Sequence, residues 1–331
     1  MNILVASHKH HLLPFAWRLK REGHSVEVVV VKDRYEKAWE PLLPKALKGK
    51  EKGAAGWEPW VARAKGGELV VVTDSPKVGA LFEDAQFRFG PGTAEWTEPP
   101  SLLLGWWSQG GGLPTPRTLV HWLAVDWGIW PLGLGPSLPG AVALLRANHD
   151  NDQVVELLAE VEEEPGLNYL GVRWEPVSKE FHKIGHTGGW PFLLTHAFVS
   201  NLSNLGQTLE NGGDEVGITE PFVVALPVSV SPWPVETHLP APQLPVTGIG
   251  DADMRDIFFH DMTVREGQVF TDGLDGMLGV VRGAHRWPSV AHRRAMSLAA
   301  RIQVPGKQFR PDALTTLVPL AEQLQERGLL R

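Results

Sequence analysis

Cysteine is absent from this 331-residue sequence, which excludes disulfides, thiolate metal sites and a thiol nucleophile. Basic residues are also in the minority, with 31 Lys and Arg against 38 Asp and Glu. The net charge of −7 argues against a general nucleic-acid-binding protein, because such proteins present a basic face to phosphates. No apolar run approaches the ~20 residues that span a bilayer, and the opening MNILVASHKHH favours no secretory leader. A soluble, cytoplasmic protein with no membrane partner is expected.

The first part of the sequence alternates short apolar runs with amphipathic stretches, a pattern typical of a parallel sheet covered by helices. The predicted elements are a strand at 2–7 (NILVAS), a helix at 12–21, a strand at 25–31 and a strand at 67–74 (GELVVVTD). Ser75 is a predicted N-cap and Pro76 suits the first turn of the helix that follows. Residues 1–85 are therefore predicted to form a Rossmann-like domain.

The remainder is rich in glycine and proline, with 35 Gly and 27 Pro in the chain, which predicts many turns. Residues 86–213 are predicted to form a mixed sheet, and residues 214–331 are predicted to form a smaller domain with strands and helices. The predicted elements are a helix at 150–164, strands NYLGVRWEPV and WPFLLTHAFV, a loop or a boundary at 201–215, a strand in PFVVALPVSVSPWP, antiparallel strands within 261–284, and helices from Ser289 and from about 311.

Three C-terminal stretches carry a family resemblance: VVALPVSVSPWP, REGQVFTDGLDGMLGVVRGA and ARIQVPGKQFRPDAL. Their order resembles the end of phosphoribosylamine–glycine ligases, members of the ATP-grasp superfamily that make glycinamide ribonucleotide in purine synthesis. The N-terminal NILVAS and LPFAWRLKREGHSVEVVV are similar to the first domain of the same family. The resemblance implies an α/β protein with a Rossmann-like pre-ATP-grasp domain, a truncated ATP-grasp-like middle and a small barrel-like C-terminal domain with helices.

The middle of the chain departs from the family. The stretch GWWSQGGGLPTPRTLVHWLAVDWGIW resembles the family's G-D-x-G-P-x-T-G, with Asp126 and Gly128 on the D-x-G. No lysine-bearing G-K-G phosphate loop is present, and Leu194 or Thr195 stands where the family's metal-binding glutamate belongs. Without the glutamate no carboxylate binds Mg²⁺, and without the lysine the charge of the transferred phosphate is not neutralised. The loss of these groups removes several kcal/mol of transition-state stabilisation.

The polar residues after the first strand are the leading ligand-binding candidates. Ser7, His8, Lys9 and His10 follow a strand of the predicted parallel sheet, and such sheets bind ligands at the carboxyl ends of their strands. An anion suits this position because a helix begins just beyond it. A phosphate or sugar phosphate is the expected ligand, and Asp126 with Gly128 is a second candidate pocket. His182 and His186 have no further ligand at zinc-site spacing, so no metal is expected.

These observations leave several functions open. The first is a ligase-like protein that has lost ATP-dependent ligation and acts as a binding or structural subunit, as in a shortened viral or paralogous copy. The second is an active ATP-dependent amine–carboxylate ligase, and only this one needs ATP and magnesium as cofactors. The third is a sugar-phosphate-binding protein. A homo- or hetero-oligomer is compatible with each, and no catalytic residue is assigned.

Overall fold

The structure is a computed structural model. It describes residues 1–7, 12–30, 46–47, 56–82, 86–88, 102–108, 120–126, 141–159, 166–175, 178, 180–188, 197, 199–211, 219–233, 242–253 and 255–331. The chain divides into two compact units, each made of three segments. The first comprises Met1–Arg88, Pro227–Val281 and Met296–Phe309, and the second comprises Phe89–Leu226, Arg282–Ala295 and Arg310–Arg331.

The described part of the chain contains both helices and strands. The strands are β1 (Asn2–Ser7), β2 (Ser25–Val30), β3 (Ala46–Leu47), β4 (Val70–Thr73), β5 (Gln86–Arg88), β6 (Leu102–Ser108), β7 (Val120–Asp126), β8 (Ala141–Arg146), β9 (Gly166–Glu175), β10 (Glu180–Gly188), β11 (Phe222–Ser229), β12 (Pro245–Val246), β13 (Ile257–Phe259), β14 (Met262–Arg265), β15 (Gln268–Thr271) and β16 (Met277–His285). The helices are α1 (Leu13–Arg21), α2 (Glu58–Lys65), α3 (Pro76–Gly79), α4 (Asp152–Leu158), α5 (Leu205–Asn211), α6 (Pro288–Arg301) and α7 (Leu317–Glu326).

The first unit contains a parallel sheet in the order β3-β2-β1-β4-β5. Its central strands are apolar throughout, and Ile3, Leu4, Val5 and Ala6 are fully buried. Such runs are typical of strands that are covered on both faces. The predicted parallel sheet of the N-terminal region is confirmed, with β1 at its centre.

The C-terminal segments of the first unit form short antiparallel ladders. Strands β12, β15 and β14 pair in that order, and β13 pairs with β16. Glu266 and Gly267 link β14 to β15 with φ angles of 50° and 78°, the left-handed conformation that a two-residue hairpin turn requires. The antiparallel strands predicted within 261–284 are confirmed. The described strands do not close into a barrel.

The second unit contains an antiparallel sheet in the order β11-β8-β7-β6-β9, with β10 paired to β9. Trp122 and Tyr169 from this sheet are fully buried. The indole of Trp122 stacks on Phe181 at 5.1 Å between ring centroids, so aromatic side chains pack one face of the sheet.

Three local predictions are corrected. WPFLLTHAFV was predicted to be a strand, but residues 197 and 199–201 are helical, and the Ser200 hydroxyl donates to the Ala197 carbonyl at 2.9 Å. The loop predicted at 201–215 contains α5, because Leu205 and Leu209 bury their side chains there. The final helix begins at Leu317, after turns over 311–316. In the part of the chain that the structure describes, no helix is long and apolar enough to cross a membrane.

Candidate functional site

The carboxyl ends of β1 and β4 lie side by side where the strand order of the parallel sheet reverses. From β1 the chain proceeds outward to β2 and β3, then returns to β4 on the other side of β1 and continues to β5. In open α/β sheets, ligands bind in the crevice at this reversal, outside the carboxyl ends of the strands. The first unit therefore has a defined candidate site.

Four buried polar residues occupy this edge: Ser7, Thr73, Asp74 and Ser75. The Ser7 hydroxyl donates to the Asp74 carboxylate at 2.9 Å between Oγ and Oδ2. Asp74 is only 5% exposed, and an ionised carboxylate is rarely buried without partners. The pair ties the end of β1 to the end of β4.

Further hydrogen bonds join the described residues of this edge. The backbone N–H of Leu12, just before α1, donates to the Ser7 hydroxyl at 3.4 Å. The Thr73 hydroxyl donates to the Ala6 carbonyl at 2.7 Å and accepts from the Ser75 N–H at 3.0 Å. Ser7 thus acts as donor and acceptor together, and its hydroxyl links the end of β1 to Asp74 after β4 and to Leu12 before α1.

Ser75 is the N-cap of α3. Its hydroxyl accepts from the Val78 N–H at 3.4 Å, and Pro76 occupies the first helical position. Both features match the prediction made from SPKVG.

The predicted site residues are only partly within the described chain. Ser7 lies at the predicted edge, whereas His8, Lys9 and His10 lie outside the described residues. Asp126 ends β7 in the second unit, with Ala141 as its strand partner, and Gly128 lies outside the described residues. The structure does not place Ser7 and Asp126 in one unit.

Asp74 was missed as a site residue. The available signal was that both central strands end in groups with side-chain oxygens, as VAS and VVVTDS. Pairing those two strand ends required knowing that β4 lies next to β1.

A second polar cluster surrounds Asp261, which is fully buried in the first unit. Its carboxylate accepts hydrogen bonds from the backbone N–H groups of Leu274, Asp275 and Gly276, the shortest at 2.7 Å. Burial raises the pKa of Asp261 to about 7, the N–H groups of Leu274 and Gly276 oppose that rise, and the Asp275 carboxylate adds to it. This arrangement supports a proton-binding carboxyl with a structural role in the 272–276 loop.

The second unit has a surface groove of about 500 Å³ between α4 and β10. Glu156, Glu180 and Lys183 contribute charges to it, and Leu157 and Phe181 contribute apolar surface. His182 also lines it and lies on strand β10. Among the described residues, no group of three or more His, Asp or Glu side chains is arranged to hold a metal ion.

The fold is that of ATP-grasp-like proteins, although no protein-family model matches the sequence and no curated protein sequence is significantly similar to it. The structure is similar to phosphoribosylamine–glycine ligase from Thermotoga maritima, with a TM-score of 0.56 at 12% identity, covering 94% of this chain and 100% of that one.

Biotin carboxylase from Campylobacter jejuni is similar with a TM-score of 0.55 at 9% identity, covering 98% of this chain and 96% of that one. Urea carboxylase from Kluyveromyces lactis matches with a TM-score of 0.58 at 10% identity, over 99% of this chain and 32% of that one. Similarity at this level of identity shows the fold, and it assigns no activity.

Proposed function

We propose that this chain is a phosphoribosylamine–glycine ligase-like protein that has lost ATP-dependent ligation. In this proposal it is a binding or structural subunit that holds a sugar phosphate at the carboxyl edge of β1 and β4. A shortened viral or paralogous copy of such a ligase fits the same proposal.

The hydrogen bond between Ser7 and Asp74 carries the binding part of this proposal. It places a buried carboxylate and a hydroxyl at the point of the sheet where ligands bind in related topologies. A carboxylate accepts several hydrogen bonds at once, so Asp74 suits the hydroxyl groups of a sugar. In this proposal the phosphate is bound by the basic residues Lys9 and His10, which follow Ser7 in the sequence.

The loss of ligation is inferred from charge. In the second unit, which in the resemblance corresponds to the nucleotide-binding region, the only lysines are Lys179 and Lys183. Phosphoryl transfer depends on cations that neutralise charge on the phosphates. Lys183 lies in a groove with Glu156 and Glu180, whose carboxylates repel a polyphosphate.

Calorimetry with ribose 5-phosphate, ribose and inorganic phosphate tests the site directly. Ribose 5-phosphate is expected to bind most tightly, and Asp74→Asn is expected to weaken it about tenfold or more, since a hydrogen bond to a charged group contributes about 1.5–3 kcal/mol. Asp312→Asn, an exposed carboxylate, is the matched control. Equal affinity of Asp74→Asn and the unaltered chain for ribose 5-phosphate would refute the sugar-binding role.

The basic residues after β1 have their own test. Replacing His8, Lys9 and His10 with alanine is expected to abolish phosphate binding with little change in thermal stability. Binding to the unaltered chain is expected to tighten as the pH falls through about 6.5, the range in which an unperturbed histidine gains its proton. Binding that persists in the triple variant would show that the anion lies elsewhere.

An active ATP-dependent amine–carboxylate ligase is the second candidate, favoured by a structural match that extends over 100% of the Thermotoga maritima enzyme. ADP release measured with Mg²⁺-ATP and candidate acids and amines separates the two. We expect no release above the protein-free rate. Substrate-dependent ADP release would restore the ligase and leave the sugar-phosphate site as its substrate pocket.

A further inference from the structure

Charge is strongly segregated along this acidic chain. Between Gly276 and Asp312 there are six arginines and one lysine and no acidic residue. Between Arg146 and Arg173 there are seven acidic residues and neither lysine nor arginine. Two stretches of opposite charge therefore occur in one molecule, and each includes part of the second unit.

Some of the basic groups are used within the fold. Arg301 forms an ion pair with Asp253, and the Lys307 ammonium donates to carbonyls at the end of α6, the shortest contact being 2.6 Å to Ile302. Arg286, Arg293 and Arg294 are exposed within the second unit, and the Arg294 guanidinium donates to the Ala284 carbonyl at 2.7 Å. The basic surface is defined here as these three arginines together with Trp287.

Trp287 is an exposed aromatic residue that lies next to Arg286. Its side chain is 56% exposed, and the Arg286 guanidinium lies over its ring at 5.5 Å from the centroid. Its backbone is held on both sides, because its N–H donates to His285 Nδ1 at 3.1 Å and its carbonyl accepts from Val290 and Ala291. Aromatic residues and arginine are enriched in protein interfaces, and a fixed tryptophan loses little entropy on binding.

The helix that carries the arginines is also held rigidly. A Cβ atom at Gly283 would lie 2.1 Å from the Ala291 carbonyl oxygen and 2.4 Å from the Ala295 nitrogen, so β16 and the first turns of α6 are in direct backbone contact. Because Ala291 and Ala295 face this strand and are fully buried, Arg293 lies on the exposed side of the helix.

The acidic stretch presents a complementary surface. Helix α4 exposes Asp152, Val155 and Glu156, and Val155 is 52% exposed. Among the described residues, Val155 and Trp287 are the exposed large hydrophobic side chains. Beside α4 lies the groove of about 500 Å³, whose lining includes the carboxylates of Glu156 and Glu180 and the apolar side chains of Leu157 and Phe181.

We propose that the basic surface around Trp287 docks onto the α4–β10 groove of a second copy of this chain. The Trp287 ring then packs against Leu157 and Phe181 of the second copy, while Arg286 and Arg293 lie against its Glu156 and Glu180. Each charged surface finds its complement on an identical molecule, and the exposed Trp287 ring is removed from water.

A second copy is favoured over nucleic acid as the partner, because the groove offers apolar side chains to Trp287 and carboxylates to the arginines. Nucleic acid would satisfy the arginines, yet the net charge of −7 opposes its approach. The groove contains Lys183 and His182 as well, so the proposed contact is mixed in charge and is sensitive to salt. Neither surface includes Ser7 or Asp74, which makes self-association independent of the proposed sugar-phosphate site.

Sedimentation velocity of the full chain at about 10–100 µM tests the proposal. Three variants test the basic surface, the groove and the Trp287 ring separately. Arg286→Glu with Arg293→Glu reverses the basic surface, Glu156→Lys with Glu180→Lys reverses the groove, and Trp287→Ala removes the ring. Each is expected to weaken self-association by on the order of tenfold or more, since buried interfacial charges and aromatic anchors dominate such contacts. Raising the salt to 1 M is expected to weaken it too, because the screening length falls to about 3 Å.

Mixing the two charge-reversed variants provides the decisive measurement. In the mixture, each reversed surface meets its complement on the other variant, so association is expected to return. Lys20→Glu with Lys65→Glu changes the net charge by the same amount as the two arginine reversals, at exposed sites of the first unit, and is expected to associate as the unaltered chain does. Circular dichroism checks that every variant is folded.

Three outcomes would overturn the proposal. The chain could remain monomeric at all concentrations and salts, or the charge reversals could leave association unchanged, or the mixture could fail to recover it. Binding of single-stranded DNA that depends on Arg293 and Trp287, in a chain that stays monomeric, would assign the basic surface to nucleic acid instead.

Discussion

At the scale of single residues, burial and hydrogen bonding act in opposite directions on Asp261. The backbone N–H groups of the 274–276 loop stabilise the ionised form, whereas complete burial and the Asp275 carboxylate favour the protonated form. The balance raises the pKa of Asp261 to about 7. Between about pH 4 and pH 7 the folded chain therefore holds a proton on Asp261, whereas the unfolded chain has released it.

This difference predicts how stability depends on pH. An aspartate in the unfolded chain has a pKa of about 3.9, so between about pH 4 and pH 7 the folded state holds the proton more tightly, and Asp261 makes the free energy of unfolding fall as the pH rises. Asp261→Asn, which still offers the loop an oxygen acceptor, is expected to remove this contribution of a few kcal/mol. Urea unfolding at pH 5 and pH 8 measures it as the difference between the two proteins.

Asp312→Asn is the matched control for this experiment. The Arg310 side chain lowers the pKa of Asp312, so its stabilising effect is lost as the pH falls, with the opposite sign to Asp261. An Asp261→Asn variant with the same pH dependence as the unaltered chain would show that Asp261 is ionised in the folded state throughout this range.

At the scale of elements, the contact between β16 and α6 depends on Gly283. The strand and helix approach so closely that no side chain fits between them. The helix itself was predictable from SVAHRRAMSLAARI, but its position against β16 depends on this one residue, because Ala291 and Ala295 offer flat, small side chains to the strand.

Gly283→Ala is therefore expected to destabilise the chain by about 1–3 kcal/mol or more, the usual cost of overpacking against atoms that cannot move aside. Gly66→Ala is the control, because the nearest atom to its added Cβ would be the Ala62 carbonyl oxygen at 3.4 Å. Its effect is expected to stay within about 0.5 kcal/mol, as at other surface sites. Equal thermal unfolding midpoints for the two variants would contradict the close contact.

At the scale of the whole molecule, each unit is assembled from segments that are far apart in the sequence. The second unit shows this at residues 328–331. The Trp122 indole N–H and the Asn148 backbone N–H both donate to the Leu329 carbonyl, at 3.2 and 2.8 Å, and the Asn148 side chain donates to the Gly328 carbonyl at 2.8 Å. The Leu329 side chain is fully buried.

Leu329→Ala is expected to cost about 2–5 kcal/mol, as for other fully buried leucines. Leu330→Ala, at the adjacent and partly exposed position, is expected to cost about 1 kcal/mol or less. Chemical denaturation of the two variants measures the difference. Similar losses at both positions would mean that the C-terminal segment is not held in the core of the second unit.

The alternating apolar runs were sufficient to predict β1, α1, β2 and β4, because each of these elements is encoded by local hydrophobic periodicity and by turn residues. The hairpin at Glu266 and Gly267 was also predictable from local sequence, because the conformation of a two-residue turn is set by the backbone of those two residues. The same reasoning failed at 197–201, where a short apolar run is compatible with either a strand or a helix and burial selected the helix.

The contacts that define the site have a different origin. Ser7 and Asp74 meet only because β4 inserts next to β1, and the position of α6 against β16 depends on the close approach at Gly283. Local periodicity decides whether a segment is a strand or a helix, because the hydrogen bonds involved join nearby residues or a regular ladder. Which polar groups become neighbours is decided by long-range packing, because the atoms in contact are tens to hundreds of residues apart in the chain.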